Sequence, residues 1–223
     1  IARGVATSLV ISAMSGAAHA EKAPPERAQM FDYVKSASVP ANAGGVFRKN
    51  GCCDVTEWKL TRTTGGEIEV TVVAPVGKGK AKHPTVLWLH REGAEVKRAM
   101  FVQEAEALAA SGIASLLVEL PFKQPFVHRG SNNEGDADVI RNAVMDARRA
   151  MDWPGARPEF NIDKLAVVGH RYGAWAAALL TAVDKRVDAA VLMSPPGKPS
   201  GWLQVTEQPR AKQFREGFDK DAW

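Results

Sequence analysis

The chain has 223 residues, with 29 basic and 25 acidic side chains and a formal net charge of +4. Its 45% hydrophobic and 24% charged content is that of a globular domain and excludes a disordered or fibrous chain. The two signs of charge are interspersed, so no nucleic-acid footprint stands out and no such partner is expected.

Arg3 precedes an apolar run from Val5 to Ala13, and small residues lead on to Ala18-His19-Ala20. That order predicts a signal peptide over residues 1–20, cleaved after Ala20, and a mature chain in the periplasm or outside the cell. The apolar run is too short to span a bilayer, so no membrane partner is expected. Residues 21–50 are rich in Pro, Ala and charge and read as a lead-in, with one helical stretch near Ala28 to Lys35. Residues 51–223 read as one domain. Cys52 and Cys53 are the only cysteines. As neighbours they are open to a strained disulfide, to pairing outside the chain, or to two thiols in a structural role. By themselves they make no metal site.

Val55 to Thr61 and Glu67 to Ala74 alternate in polarity around Thr63-Thr64-Gly65-Gly66, which predicts a hairpin. Pro84 to His90 is a continuous apolar run, as in a strand buried on both faces. Ala99 to Ala110 places Phe101, Ala105, Leu108 and Ala109 at helical spacing, and Gly112 closes that helix. Ile113 to Leu120 is the next strand and 121–135 a polar loop. Val139 to Trp153 reads as a helix with Val139, Ala143, Val144, Ala147 and Met151 on its apolar face. Lys164 to Val168 is a strand, Ala174 to Leu180 a helix, and Val187 to Met193 a further strand. Asp184 and Asp188 flank the turn into it and read as a solvated helix end. Strand–helix alternation after a leading hairpin implies a mainly parallel, doubly wound α/β sheet.

The pentapeptide Gly169-His170-Arg171-Tyr172-Gly173 joins a strand to a helix, the setting of a nucleophile elbow. Its two glycines suit a turn whose central residue is held in strained backbone. That central residue is Arg171, whose guanidinium stays protonated and cannot attack a carbonyl.

From about Val55 to Pro196 the chain resembles the α/β-hydrolase superfamily, nearest to dienelactone-hydrolase-like and acetyl-xylan-esterase-like bacterial esterases. The residues carrying this are the elbow, Val86-Leu87-Trp88-Leu89-His90-Arg91-Glu92-Gly93, the helix from Glu104 to Gly112, Asp146-x-Arg148-Arg149-x-x-Asp152, and Asn161-Ile162-Asp163. The resemblance implies a Ser–acid–His hydrolase of small-molecule esters, with no metal or organic cofactor. It places the nucleophile at position 171. Oxyanion donors would come from Tyr172 and from the loop of Arg91 and Glu92, with Gly169, His170, Gly173 and His90 as elbow and cleft support. His90 is expected to order the oxyanion loop and His170 to pack locally, while His128 and Arg129 would line the cleft.

The chain departs from that pattern in three places. Arg171 replaces Ser, and Arg91 stands where the family prefers Gly. The acid and His that follow the elbow in chain order are missing, since His19, His83, His90, His128 and His170 all precede position 171. The chain therefore reads as an incomplete hydrolase domain with its last strands missing, and no serine-hydrolase turnover is expected. The alternative is a non-catalytic pseudohydrolase that binds an anionic ligand or a protein partner. It is motivated by two arginines, Arg91 and Arg171, beside a helix N-terminus. Its plain competitor is a lesion in an esterase gene.

Overall fold

The computed structural model describes residues 29–32, 39–49, 51–62, 65–77, 82–93, 97–122, 134–154, 157 and 159–195. The leader with its cleavage site, half of the helical stretch expected in the lead-in, and the loop of His128 and Arg129 lie outside these residues.

The strands are β1 (Ala41–Lys49), β2 (Cys53–Thr61), β3 (Glu67–Pro75), β4 (His83–Leu89), β5 (Ala114–Val118), β6 (Phe160–His170) and β7 (Val187–Met193), most of them rich in aliphatic and β-branched residues, with β1 the exception. They build one seven-stranded sheet in the order β1-β2-β3-β5-β4-β6-β7. The expected hairpin, β2 with β3, pairs in continuous antiparallel register from Cys53 opposite Pro75 to Thr61 opposite Glu67. β3 joins β5 antiparallel, and from β5 onward the pairings through β4, β6 and β7 are parallel.

Alternate strand residues point to opposite faces, which divides the core in two. Val86 and Trp88 of β4, Val73 of β3 and Leu117 of β5 pack with Phe101, Ala105 and Ala109. The last two lie on helix α1 (Val102–Ala110), entered through a short 3-10 turn at Arg98–Phe101. Leu87, Leu89, Val72, Leu116 and Val118 face the other way. They meet Ala143, Val144, Ala147 and Met151 of α2 (Glu134–Asp152), and Ala176, Ala177 and Leu180 of α3 (Tyr172–Val183). α2 begins before Val139, inside the stretch expected as loop.

Two features of the sheet differ from expectation. β1 lies within the stretch expected as lead-in. Its Ala, Asn and Gly residues have weak strand preference, and pairing with β2 holds them despite irregularities at Ala43/Gly45 and Val46/Arg48. At the other edge β7 is open, with Val191 53% and Leu192 40% exposed, although parallel strands are usually covered on both faces.

The helices are clamped to the sheet by buried ion pairs. Asp146 takes two hydrogen bonds of 2.7 Å from Arg62, and Arg149 Nε reaches the carbonyl of Thr61 at 3.2 Å. Asp184 corrects the solvated reading. It is buried, paired with Arg148 Nε at 3.0 Å and Arg186 Nη2 at 2.7 Å, while Arg186 also holds Asp152 at 2.6 Å. Burial alone would raise its pKa, but the bonds and charge of Arg186, with Arg148, outweigh that and hold Asp184 at about 2. The turn looks solvated in sequence because Arg148, which helps enclose Asp184 together with the neighbouring Arg186, lies 36 residues away on α2. Asp188 accepts the backbone N–H of Leu165 at 2.9 Å. Near the start of β6 the Arg157 guanidinium lies over Trp58, Trp153 and Phe160, at 4.8, 4.7 and 5.3 Å from the ring centres.

Candidate functional site

Parallel strands β4 and β6 are neighbours in register, so their C-terminal ends bring the loop after His90 next to the turn after His170. This is the crevice where open α/β sheets place ligands.

The turn is tight. Arg171 has φ 52° and ψ −115°, a left-handed backbone that a branched or bulky residue adopts only under strain. The strain is held by packing. A Cβ at Gly169 would run into the backbone of Gly173 and Ala174, and one at Gly173 into the carbonyls of Leu89 and His90. The Arg171 N–H donates to the Met193 carbonyl at the end of β7 at 2.9 Å. Its own carbonyl accepts from Ala174 and Trp175 at 2.9 and 3.2 Å, starting α3. The expected elbow geometry is therefore present, with a guanidinium at its centre.

That guanidinium is not aimed into empty space. Arg171 Nε lies 3.0 Å from Oε1 of Glu92, with the two side chains 47% and 13% exposed. The other oxygen, Oε2, accepts the backbone N–H of Tyr172 at 3.4 Å. One carboxylate thus spans the residue at the nucleophile position and the N–H expected to stabilise an oxyanion, favoured by the positive end of α3. Sequence reasoning placed Arg91 and Glu92 together in the oxyanion loop and missed this pairing. The available signal was charge: an acid one residue from Arg91, at the tip of the strand beside the elbow. Arg91 sits at the edge of the arrangement, its Nη1 3.5 Å from the Glu92 carbonyl.

His90 is fully buried and holds the loop from inside. Its Nδ1 donates to the carbonyl of Arg91 at 2.7 Å, and its Nε2 accepts the N–H of Leu120 at 2.9 Å. A carbonyl cannot donate and an N–H cannot accept, so the ring is the neutral Nδ1–H tautomer. Burial, more than any neighbouring charge, lowers its basicity. The far end of the loop is fixed by Arg98, which binds Thr71 at 2.8 Å, Glu69 at 2.8 Å, Glu119 at 3.0 Å and also Glu57. His170 is lowered too, by burial first and then by the charges of Arg91 and Arg171. Its Nδ1 is buried and has no hydrogen-bond partner among the described residues. Phe122, Tyr172 and Trp175 form an aromatic row beside the elbow, with ring centres 6.1 and 4.9 Å apart.

Away from this crevice, the Sγ atoms of Cys52 and Cys53 are 3.3 Å apart, with Cys53 buried. Among the described residues, no group of three or more His, Cys, Asp or Glu could hold a metal ion. No described helix is long and apolar enough to cross a membrane.

No family model matches the chain, and no curated protein matches it either. Solved structures do. An acetyl xylan esterase from a Thermoanaerobacterium species matches with TM-score 0.66 at 14% identity, over 84% of this chain and 63% of its own. One from a Paenibacillus species matches with TM-score 0.66 at 15% identity, over 86% and 65%. A glucuronoyl esterase from Solibacter usitatus matches with TM-score 0.56 at 13% identity, over 75% and 56%. The chain thus has the α/β-hydrolase fold, and it spans less than two thirds of the length of these esterases.

Proposed function

We propose that this protein is a relative of carboxylic-ester hydrolases that performs no serine-hydrolase turnover. The observation carrying this reading is the carboxylate of Glu92 lying across Arg171 and the Tyr172 N–H. Acyl transfer requires a nucleophile with an available lone pair at the elbow, and a protonated guanidinium offers none. It also requires an N–H donor left open for the developing oxyanion. Here that donor already serves an internal anion.

The test is a fluorophosphonate probe together with p-nitrophenyl acetate. No covalent labelling and no burst are expected, and either signal from the wild-type protein would end this reading. In a second arm, Arg171→Ser restores a hydroxyl at the bend. Hydrolysis gained by that variant would support esterase ancestry.

A second reading, a non-catalytic protein that binds an anionic ligand at the elbow, is favoured by the same contact, because the position already accepts a carboxylate. We further propose export, with the leader removed after Ala20 and the protein acting in the periplasm or outside the cell. N-terminal sequencing of the secreted protein checks that, with Glu21 expected first.

A further inference from the structure

We propose that Cys52 and Cys53 are an oxidation site, at which a disulfide oxidant, R–S–S–R, converts the two adjacent thiols of the folded protein into a disulfide with each other. The site lies away from the elbow and does not depend on whether the elbow turns over esters.

The geometry of the bend carries it. In an extended strand successive side chains point to opposite faces, which would hold the sulfurs of two neighbours apart. Here Gly51 and Cys52 form a bend, and β2 begins only at Cys53. The Sγ atoms lie 3.3 Å apart, one thiol donating to the other. Both flanks of the bend are held. The Cys52 carbonyl accepts the Val76 N–H at 3.0 Å, and Cys53 is paired with Pro75 across the hairpin. A disulfide needs about 2.05 Å between sulfurs, so closure takes a movement of only about 1.3 Å.

Burial divides the roles. Cys53 is fully buried in the core layer of Val55, Val73, Trp88 and Phe101, whereas Cys52 is only partly buried. Cys52, as its thiolate, therefore attacks the oxidant first. A Cys52–S–S–R bond forms, the oxidant's own S–S bond breaks, and RS⁻ leaves. The Cys53 thiol then gives up its proton and attacks the Cys52 sulfur from the interior, expelling the second RS⁻. The cysteines lose two electrons, the oxidant gains them, and the two protons end on the two released thiols. Neighbouring Cα atoms are about 3.8 Å apart, below the usual disulfide span of about 4.4–6.8 Å, so the product is strained and readily reduced. The modification is thus reversible, and the export proposed above would bring the chain to a compartment that supplies the oxidant.

The experiment treats the folded full chain with oxidised glutathione, alkylates it in denaturant and digests it with trypsin. The mass of the peptide spanning residues 50–59, which holds both cysteines, is then measured. Wild type is expected to lose both alkylatable thiols and two hydrogens from this peptide, and excess reduced glutathione to restore them. Cys53→Ser is expected to stop at a glutathione adduct on Cys52, and Cys52→Ser to keep its buried thiol unmodified. A wild-type peptide that stays fully alkylatable overturns the proposal, as does one that accumulates as a glutathione adduct or as a link between chains. Equal glutathione adducts on Cys52→Ser and Cys53→Ser overturn the order of attack. If Cys53→Ser does not fold, Cys53→Ala decides, because it keeps the core apolar.

Discussion

Arginine meets carboxylate at both ends of the parallel strands, with different consequences. At the foot, Arg148 and Arg186 converge on Asp184 and Asp152, with both carboxylates buried. At the top, Arg171 meets Glu92 with half its side chain in solvent. The chemistry is shared and the surroundings are not. Buried pairs are strongly destabilising to break, because the abandoned charge stays in a dry environment. An exposed pair loses little, because water takes the partner's place. One end of the sheet therefore fixes helices, and the other carries a contact whose arginine is half in solvent.

The largest expected effect attacks the foot. Asp184→Asn leaves Arg148 and Arg186 short of a charge and should destabilise the fold by about 3–5 kcal/mol in a denaturant melt. A loss as small as that of an exposed pair would erase the contrast. Next comes the backbone of the elbow, which is rigid even though its side-chain contact is not. Gly173→Ala drives a methyl group into the Leu89 and His90 carbonyls and should lose about 3 kcal/mol or prevent folding. A mild effect would mean that β4 and α3 can separate at the site.

Acid gives a third comparison. Asp184 is held at about 2, against its ordinary 3.8, by its arginines despite burial. Its contribution of about 2 kcal/mol is present above pH ~4 and is lost as pH falls through about 2. Unfolding free energies measured across that window should show the decline, and Asp184→Asn should flatten it. The smallest effect belongs to Arg171→Gly. It relieves a positive φ but takes the guanidinium from the mostly buried Glu92, so the two effects should nearly cancel and stability should change by no more than about 1 kcal/mol. A drop of several kcal/mol would make the top resemble the foot.

The sequence was most legible where pattern and burial agree. The hairpin of β2 and β3, the apolar run of β4 and the strand–turn–helix around Gly169 and Gly173 all follow from period and glycine placement. β1 was hidden because Ala-Asn-Ala-Gly-Gly has no strand signature, and its order comes from β2 alongside. Asp184 reads as solvated because its burial depends on packing against α2, whose Arg148 is distant in sequence, although its other partner Arg186 is two residues away. Arg171 was legible as a misplaced cation at a strained bend. Its partner was harder to see, because Glu92 lies far along the chain and the contact exists only when β4 and β6 are neighbours.

The imidazole of His90 gives the site loop a latch that works only while the ring is unprotonated. One added proton would turn Nε2 into a donor facing another donor, the N–H of Leu120, in the buried interior. The folded state resists that proton, whereas the unfolded chain accepts it near the ordinary 6.5, so stability falls as pH drops below that value. Mild acid should therefore loosen the segment carrying Arg91 and Glu92 while the clamps at the opposite end of the strands still hold. Hydrogen exchange at Leu120, faster at pH 5 than expected from the intrinsic acid dependence, would register the latch opening.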